Sequence, residues 1–599
     1  MKLSVVYYYR HPQNSFVIYL LNKNMNLFST PALQYGFTKL SEEQKYAFAK
    51  FVQGRNIFIT GPGGTGKTRL IQFIVEYMNS IGKSHQVCAL TGCAATLLQC
   101  KAKTIHSWSG IRLAKGNPED IIQRVTRNRC YTKLWRSVDV LIVDEVSMMS
   151  SKMFHLLDKI GRATRRVQSK PFGGIQLIFT GDFFQLPPIP DHDDPYSGDF
   201  CFQHPSWATI FKSENCIELK TFFRQTDPAY ISILQEVRKG TISAPNIELL
   251  ETRLNSRVSR QSENGIVPTK LFPIRSKVDN INDSSYAKLE GEERLYHTNI
   301  ITNAKIHIDS GSELSAEEVE HCAELTTEKI STEVDNIINS LFAEKIVKLK
   351  IGALVMCTAN IDVERGICNG SQGIIIGYAE SNTCVLPEEV SQKKLKTGGS
   401  LYVPVVRFAN GITMRVAPHP RQSEEYPCIV VSQIPLCLAW ALTIHKIQGA
   451  TLDMAEMDIG RSIFAAGQSY VALSRVKTLD GLYLSEFNST KIKANPLVIE
   501  FYSSFPQLRE DEMRSEVEAI LSKPTQEIAT KKQSKMPTFL PILPVNHPIT
   551  THNCPKSNMS SCLPDGVTFN EFEYNPSDST SETTPQKDTT VKTIKLSRY

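Results

Sequence analysis

No C-x-x-C pair occurs in the chain, although it carries 14 cysteines. Scattered single thiols argue against a zinc ribbon or a disulfide scaffold and fit a reducing intracellular compartment. No apolar run approaches the roughly 20 residues of a membrane-spanning helix, so no membrane partner is expected. Met1 to Ser41 contains no aspartate or glutamate, while Lys2, Arg10, Lys23 and Lys39 are present. A mitochondrial transit segment is similarly poor in acid, but it is also rich in Arg and Ser, and this stretch is neither. An extra strand, or translation from Met25, stays open beside that reading. No internal repeat is present. Large apolar residues are scarce from Ser522 to Tyr599, where Ser, Thr and Pro prevail, so 506–599 is expected to be a low-complexity tail. The net charge of +6 permits a polyanionic partner without requiring one.

What is present is organised around one stretch. Asn56 to Thr60 reads as a short apolar strand, and Arg69 to Met78 reads as a helix. Between them Gly61-Pro62-Gly63-Gly64-Thr65-Gly66-Lys67-Thr68 fits G-x-x-x-x-G-K-[ST] at every defined position. The glycines allow successive backbone N–H groups to point inward at a phosphate, and the helix adds its positive end. Lys67 supplies charge for the β- and γ-phosphates, and the Thr68 hydroxyl is a Mg²⁺ ligand candidate. Upstream, Ser41 and Gln44 have the spacing of a capping box; Gln44 is also placed to read an adenine edge, and the spacing alone does not choose.

Val138 to Val143 is apolar on both faces, as in a central parallel strand, and ends in Asp144-Glu145. Asp144 is placed to hold Mg²⁺ and Glu145 to activate water. A third strand, Ile175 to Thr180, runs into Gly181-Asp182-Phe183-Phe184-Gln185, followed by two prolines; Gln185 is the γ-phosphate sensor candidate. Arg224 sits where the chain leaves one nucleotide-binding core for another, in position to reach across as a finger. A second α/β pattern has no phosphate loop: Thr269–Ile274, Leu438–Ile444, Ala455–Ile459 and Leu482–Ser485 are its strands. Its junctions carry His445-Lys446-Ile447-Gln448-Gly449 and Tyr470 to Arg475. Small and hydroxyl residues after the strand Val87–Leu90, then Thr104-Ile105-His106-Ser107-Trp108, suit a loop along a phosphodiester backbone with a ring to stack a base, while a core His/Trp pair is the commoner outcome of such a pattern. Arg112 to Arg136 reads as an inserted loop or hairpin. Short alternating runs from Gly373 to Val431 read as a β-barrel insert.

Taken in order, GPGGTGKT, LTGCAATLL, TIHSW, LIVDEVSMM, KPFGGIQLIFTGDFFQLPPI, FFRQ, LAWALTIHKIQGATLD and GQSYVALSRVKTLDGL resemble the Pif (petite integration frequency) family of superfamily-one DNA helicases, over roughly residues 38–505. The resemblance implies an α/β fold of two tandem RecA-like domains with ATP and Mg²⁺ between them. It implies an SH3-like barrel insert, a wedge near 109–136, and 5′→3′ movement on single-stranded and forked DNA, by a monomer. The matching divisions are an N-terminal extension 1–37, a first domain 38–215, a second domain 216–372 and 432–505, an insert 373–431, and the tail. It also implies phosphate contacts from Gly61 through Thr68, metal contacts from Thr68 and Asp144, and catalytic roles for Glu145, Gln185, Arg224 and Arg475. Thr91, Thr104, His106, His445, Lys446 and Tyr470 are expected at DNA. Ile447 stands where the family usually has serine, so a hydroxyl contact is not expected there. Family members act in genome maintenance in the nucleus or the mitochondrion, and a viral origin is compatible. An RNA-directed motor and an ATP-gated clamp are the rival functional readings.

Overall fold

The computed structural model describes residues 28–522 apart from residue 29 and internal stretches, of which 255–266 and 382–400 are the longest. The readings made for 1–27 and 523–599 lie outside the described residues. Among the described residues no helix is long and apolar enough to cross a membrane.

The first lobe is a six-stranded parallel sheet. Its strands are β1 (Ile57–Thr60), β2 (His85–Ala89), β3 (Lys103–Thr104), β4 (Val140–Asp144), β5 (Gln176–Thr180) and β6 (Cys216–Glu218), in spatial order β3-β2-β4-β5-β1-β6. Ile57, Phe58 and Ile59 of β1 and Val140 to Val143 of β4 are fully buried. Phe58 faces one apolar cluster while Ile57 and Ile59 face the other, which explains why these strands read as continuous rather than alternating runs. Around the sheet run α1 (Pro31–Thr38), α2 (Glu42–Val52), α3 (Lys67–Ser80), α4 (Gly92–Leu98), α5 (Ile105–Ser109), α6 (Pro118–Arg127), α7 (Arg129–Ser137) and α8 (Ser151–Arg165). Phe37 of α1 is buried among Phe28, Phe48 and Phe73, so this lobe's core already begins within 1–37.

Residues 118–137 are two helices, not a hairpin. Asn117 caps α6 with Pro118 in its first turn, and Asn128 caps α7. Ile121, Val125 and Trp135 turn inward at helical spacing, and Trp135 packs on Trp108 with ring centroids 4.7 Å apart. Of the two readings of Trp108, base stacking and core packing, the structure takes the second: at 1% exposure it is core.

The second lobe has a four-stranded parallel sheet, built from β7 (Thr269–Phe272), β8 (Ala441–Thr443), β9 (Ala455–Ile459) and β10 (Leu482–Phe487) in spatial order β8-β7-β9-β10. It is reached through α9 (Pro228–Arg238) and carries α10 (Gln468–Leu473). The boundary expected at residue 216 falls one strand early, because β6 pairs with β1 of the first lobe. Between β7 and β8 lies antiparallel structure wider than 373–431. Its five-stranded sheet also uses Leu354–Cys357 and Leu436–Leu438, and a three-stranded sheet joins Asn299–Ile301, Val430–Gln433 and His419–Gln422.

After β10 the chain returns to the first lobe. In α11 (Pro496–Ser503), Phe501 packs among Phe58, Phe183, Phe202 and Trp207. In α12 (Glu510–Leu521), Met513, Val517, Ile520 and Leu521 are buried against the α2 side of the core. Glu516 is bonded to Lys50 and to the Tyr46 hydroxyl, and Arg514 pairs with Glu42 at 3.2 Å. The tail expected from residue 506 thus begins with a docked helix. The i, i+4, i+7, i+8 apolar positions are its signature, masked in sequence by the acidic first turn Glu510-Asp511-Glu512. Replacing Val517 with Asp would bury a carboxylate in this seam. It is expected to cost about 3 kcal/mol, seen as a lower denaturation midpoint, whereas Glu518→Ala on the same helix should change little.

Candidate nucleotide and nucleic-acid site

The carboxyl ends of β1, β4 and β5 converge, where open parallel sheets place their ligands. β1 delivers the glycine loop and α3 starts at Lys67. Gly61 has φ +137°, and a Cβ there would lie 2.4 Å from the Leu219 carbonyl, so only glycine fits. Lys67 Nζ donates to the carbonyls of Gly61 at 2.7 Å and Pro62 at 3.0 Å. Burial lowers its pKa, against the raising influence of Asp182, Glu145 and Asp144. Thr65 donates to the Pro62 carbonyl at 2.8 Å, and Thr68 lies half-buried in the first turn of α3. Gln44 closes the capping box with Ser41, and its amide also donates to the Thr65 and Gly66 carbonyls at 3.2 and 3.3 Å. One side chain thus caps α2 and braces the loop. Phe223, half exposed, lies against Gly66 on the same side.

Asp144 ends β4 and accepts from the Thr180 hydroxyl and from the Glu145 amide, the latter at 2.9 Å. Burial raises its pKa. Glu145 holds φ +58°, a left-handed conformation costing a non-glycine residue of order 1 kcal/mol or more. Its carboxylate accepts from Gln448 Nε2 at 3.2 Å. Burial, then the neighbouring Asp144, push its pKa up to about 6, with Lys67, Arg475 and Gln448 opposing. Among the described residues no group of three or more His, Cys, Asp or Glu makes a metal cage. Thr68 and Asp144 alone suit a hard cation such as Mg²⁺, which keeps water and completes its shell with phosphate oxygens.

The second lobe reaches this loop directly. Arg224 donates to the Ser474 carbonyl at 3.3 Å, and its aliphatic stem lies against Gly64. Arg475 is 2% exposed, anchored by Nε on the Val471 carbonyl at 2.9 Å and by Nη2 on Ser474 Oγ at 2.6 Å. Burial, then repulsion from Arg224, lower its pKa to about 10. A Cβ on Gly63 would lie 3.5 Å from Arg475 Nη2. Gln185 is buried, and its Oε1 has no hydrogen-bond partner among the described residues.

Five of the six residues expected at DNA lie along the carboxyl edges of the two sheets. Thr91 caps α4 through the Ala94 amide at 3.2 Å, and Thr104 caps α5 through the Ser107 amide at 3.3 Å. His106 is half-buried, with its pKa pushed down by burial to about 4, and His445 is shifted the same way. Lys446 follows at the end of β8. Leu97 of α4 lies 3.1 Å from a Cβ built on Gly449, so the two groups of residues are neighbours across the lobes. Ile447 is fully buried in the second-lobe core, which accounts for a hydrocarbon at the usual serine position. Tyr470 departs from its expected place: it is 1% exposed, with its hydroxyl at the phosphate loop. Gln448, Asp182 and Arg238 were not singled out from sequence, although Gln448 lies inside the HKIQG stretch already noted.

Two RecA-like lobes meeting at a glycine loop, an acidic strand end and two guanidinium groups define a two-lobed P-loop NTPase. A family model described as PIF1-like helicase matches residues 39–248, and one described as DNA helicase Pif1, 2B domain matches 334–378. An ATP-dependent DNA helicase PIF1 of Xenopus laevis is 34% identical over 473 residues, 79% of this chain and 65% of that protein. The chain therefore spans about two thirds of the length of this relative. The crystal structure of Pif1 helicase from Candida albicans superposes with a TM-score of 0.59 at 31% identity, covering 78% of this chain and 99% of that one. Bacteroides sp Pif1 in complex with ADP-AlF4 gives 0.57 at 26% identity, covering 78% and 96%. The chain belongs to the PIF1-like helicase family.

The depressed pKa of His106 sets a stability limb. Above pH 6.5 the imidazole is neutral in both folded and unfolded chains; between 6.5 and 4 only the unfolded chain takes up the proton, so folding weakens as pH falls through that window. Urea midpoints measured from pH 7 to pH 4 should fall less steeply for His106→Gln than for the parent.

Proposed function

We propose that the protein is an ATP-dependent DNA helicase that moves 5′→3′ along single-stranded DNA and opens duplexes and forks, folded G-rich structures among them, in nuclear or mitochondrial genome maintenance. The carrying observation is that the second lobe's Arg475 brings its Nη2 to 3.5 Å from a Cβ position built on Gly63, while the linker's Arg224 lays its aliphatic stem on Gly64 and donates from Nη1 to the Ser474 carbonyl at 3.3 Å. The Xenopus relative is named an ATP-dependent DNA helicase, and the Bacteroides neighbour was solved with ADP-AlF4; both support the reading.

Glu145 is the base. With its pKa raised to about 6 it is ionised at neutral pH yet basic enough to take a proton from water, and Gln448 holds its carboxylate in place. The free Gln185 Oε1 is an acceptor for that water's second hydrogen. Lys67, Arg224 and Arg475 supply positive charge around the phosphates. Bound at Thr68 and Asp144, Mg²⁺ would neutralise phosphate charge further. Because the arginines belong to the linker and the second lobe, loss of the γ-phosphate weakens lobe closure, and the His106 and His445 edges shift relative to each other. Both imidazoles are kept neutral by burial, so attraction to the strand comes from Lys446 and other cations, and affinity should fall with salt.

Lys67→Ala is expected to abolish ATP turnover and strand displacement while single-strand binding survives. Arg224→Ala should retain nucleotide binding and lose turnover by about 10³; an unchanged kcat would remove Arg224 from the site. On forked substrates of opposite tail polarity, only the 5′-tailed duplex should be displaced. Displacement from the 3′ tail alone would reverse the polarity reading.

A further inference from the structure

Tyr470 is the one residue expected at DNA that the structure places at the nucleotide loop. Its hydroxyl accepts from the Gly63 amide at 3.0 Å and donates to Asp182 Oδ2 at 3.2 Å. Both partners belong to the first lobe, while Tyr470 belongs to α10 of the second. This acceptor is unusually firm. Asp182 has no exposed surface, and it is gripped by Arg238 through Nε and Nη2 at 3.0 Å each. Arg238 also donates to Glu218 at 2.7 Å and lies over the rings of Phe184 and Tyr502. The Tyr502 hydroxyl, from α11, accepts from the Phe183 amide at 3.1 Å and donates to Asp182 Oδ1 at 3.3 Å. Tyr470 is thus tied to a carboxylate that two other segments, α9 and α11, hold still.

Arg475 follows the end of the same short helix, α10, by two residues. That guanidinium is bonded to the Val471 carbonyl and to Ser474, one turn or less away, so it moves with the helix. At the other end Gly467, with φ +82°, abuts the Phe184 and Gln185 carbonyls, both 2.6 Å from where its Cβ would be. Whatever fixes α10 against Gly63 and Asp182 also fixes the distance from Arg475 to the loop.

Resting on the proposed function, we propose that Tyr470 is a positioning residue: its hydroxyl, held between the Gly63 amide and Asp182, sets the register of Arg475 on the phosphate loop. It acts through Arg475 and touches neither DNA nor the reacting water.

The test compares the full chain with Tyr470→Phe, which keeps the ring and its packing and removes only the hydroxyl. DNA-stimulated kcat should fall roughly tenfold, the scale of one hydrogen bond to a charged acceptor. The KM for ATP and the Kd for single-stranded DNA should stay within about twofold. In an Arg475→Lys background the same substitution should cost little more, since the two act as a unit. A kcat within about twofold of the parent, a full multiplicative loss on top of Arg475→Lys, or a selective loss of DNA affinity would each overturn the proposal. Hydrogen exchange of residues 467–475 in the nucleotide-free protein gives a readout without turnover: it should be slower in the parent than in Tyr470→Phe, and equal exchange overturns the proposal. An inactive parent protein would sink the functional reading alone and leave the exchange result to decide the positioning role.

Discussion

The buried pair Asp182–Arg238 is what the two-lobed arrangement depends on. Two charges withdrawn from water are tolerated only with near-complete hydrogen bonding, and these have it: Asp182 meets Arg238, Tyr470 and Tyr502, and Arg238 adds Glu218 and two ring faces. Burial alone would lower the arginine's pKa; its partners more than reverse this, and it is held well above the ordinary value. Removing either partner strands the other, which in comparable buried pairs costs about 3–5 kcal/mol. Asp182 lies on the GDFFQ turn and Arg238 on α9, and their partners come from β6, α10 and α11, so the pair joins the turn after β5 to both crossings between the lobes.

Around that pair the nucleotide site is assembled from residues that constrain one another. Glu145 sits in a strained backbone conformation beside Asp144, and its raised pKa follows from the same burial that shields the site from bulk water. The second lobe supplies Gln448 to the Glu145 carboxylate and Arg475 to the loop, so both contacts depend on how the two lobes meet.

The sequence was most readable where chemistry is local. A glycine loop between strand and helix, two carboxylates ending an apolar strand, and a serine–glutamine capping box each need only a few neighbouring residues, and the two-core α/β fold followed from them. It was least readable where a side chain's role depends on distant partners. Tyr470 has the look of a nucleic-acid contact until its hydroxyl is seen between Gly63 and Asp182. Arg238 resembles an ordinary cation at a helix end, yet it is 5% exposed. Trp108 left base stacking and core packing both open from sequence, and it is half of an interior indole pair. Residues 118–137 lacked an evident period because two short helices, separately capped by Asn117 and Asn128, break it.

The path of the chain between lobes carries one more consequence. The outgoing strand of chain at Gly240 touches the returning one at Ala494, so closely that a Cβ on Gly240 would meet the Ala494 nitrogen. The second lobe is therefore hung from a pair of adjacent tethers, like a door on a double hinge. Such a suspension favours swinging about one axis and resists twisting or sliding free, which converts a small change in cleft width into displacement along a single direction.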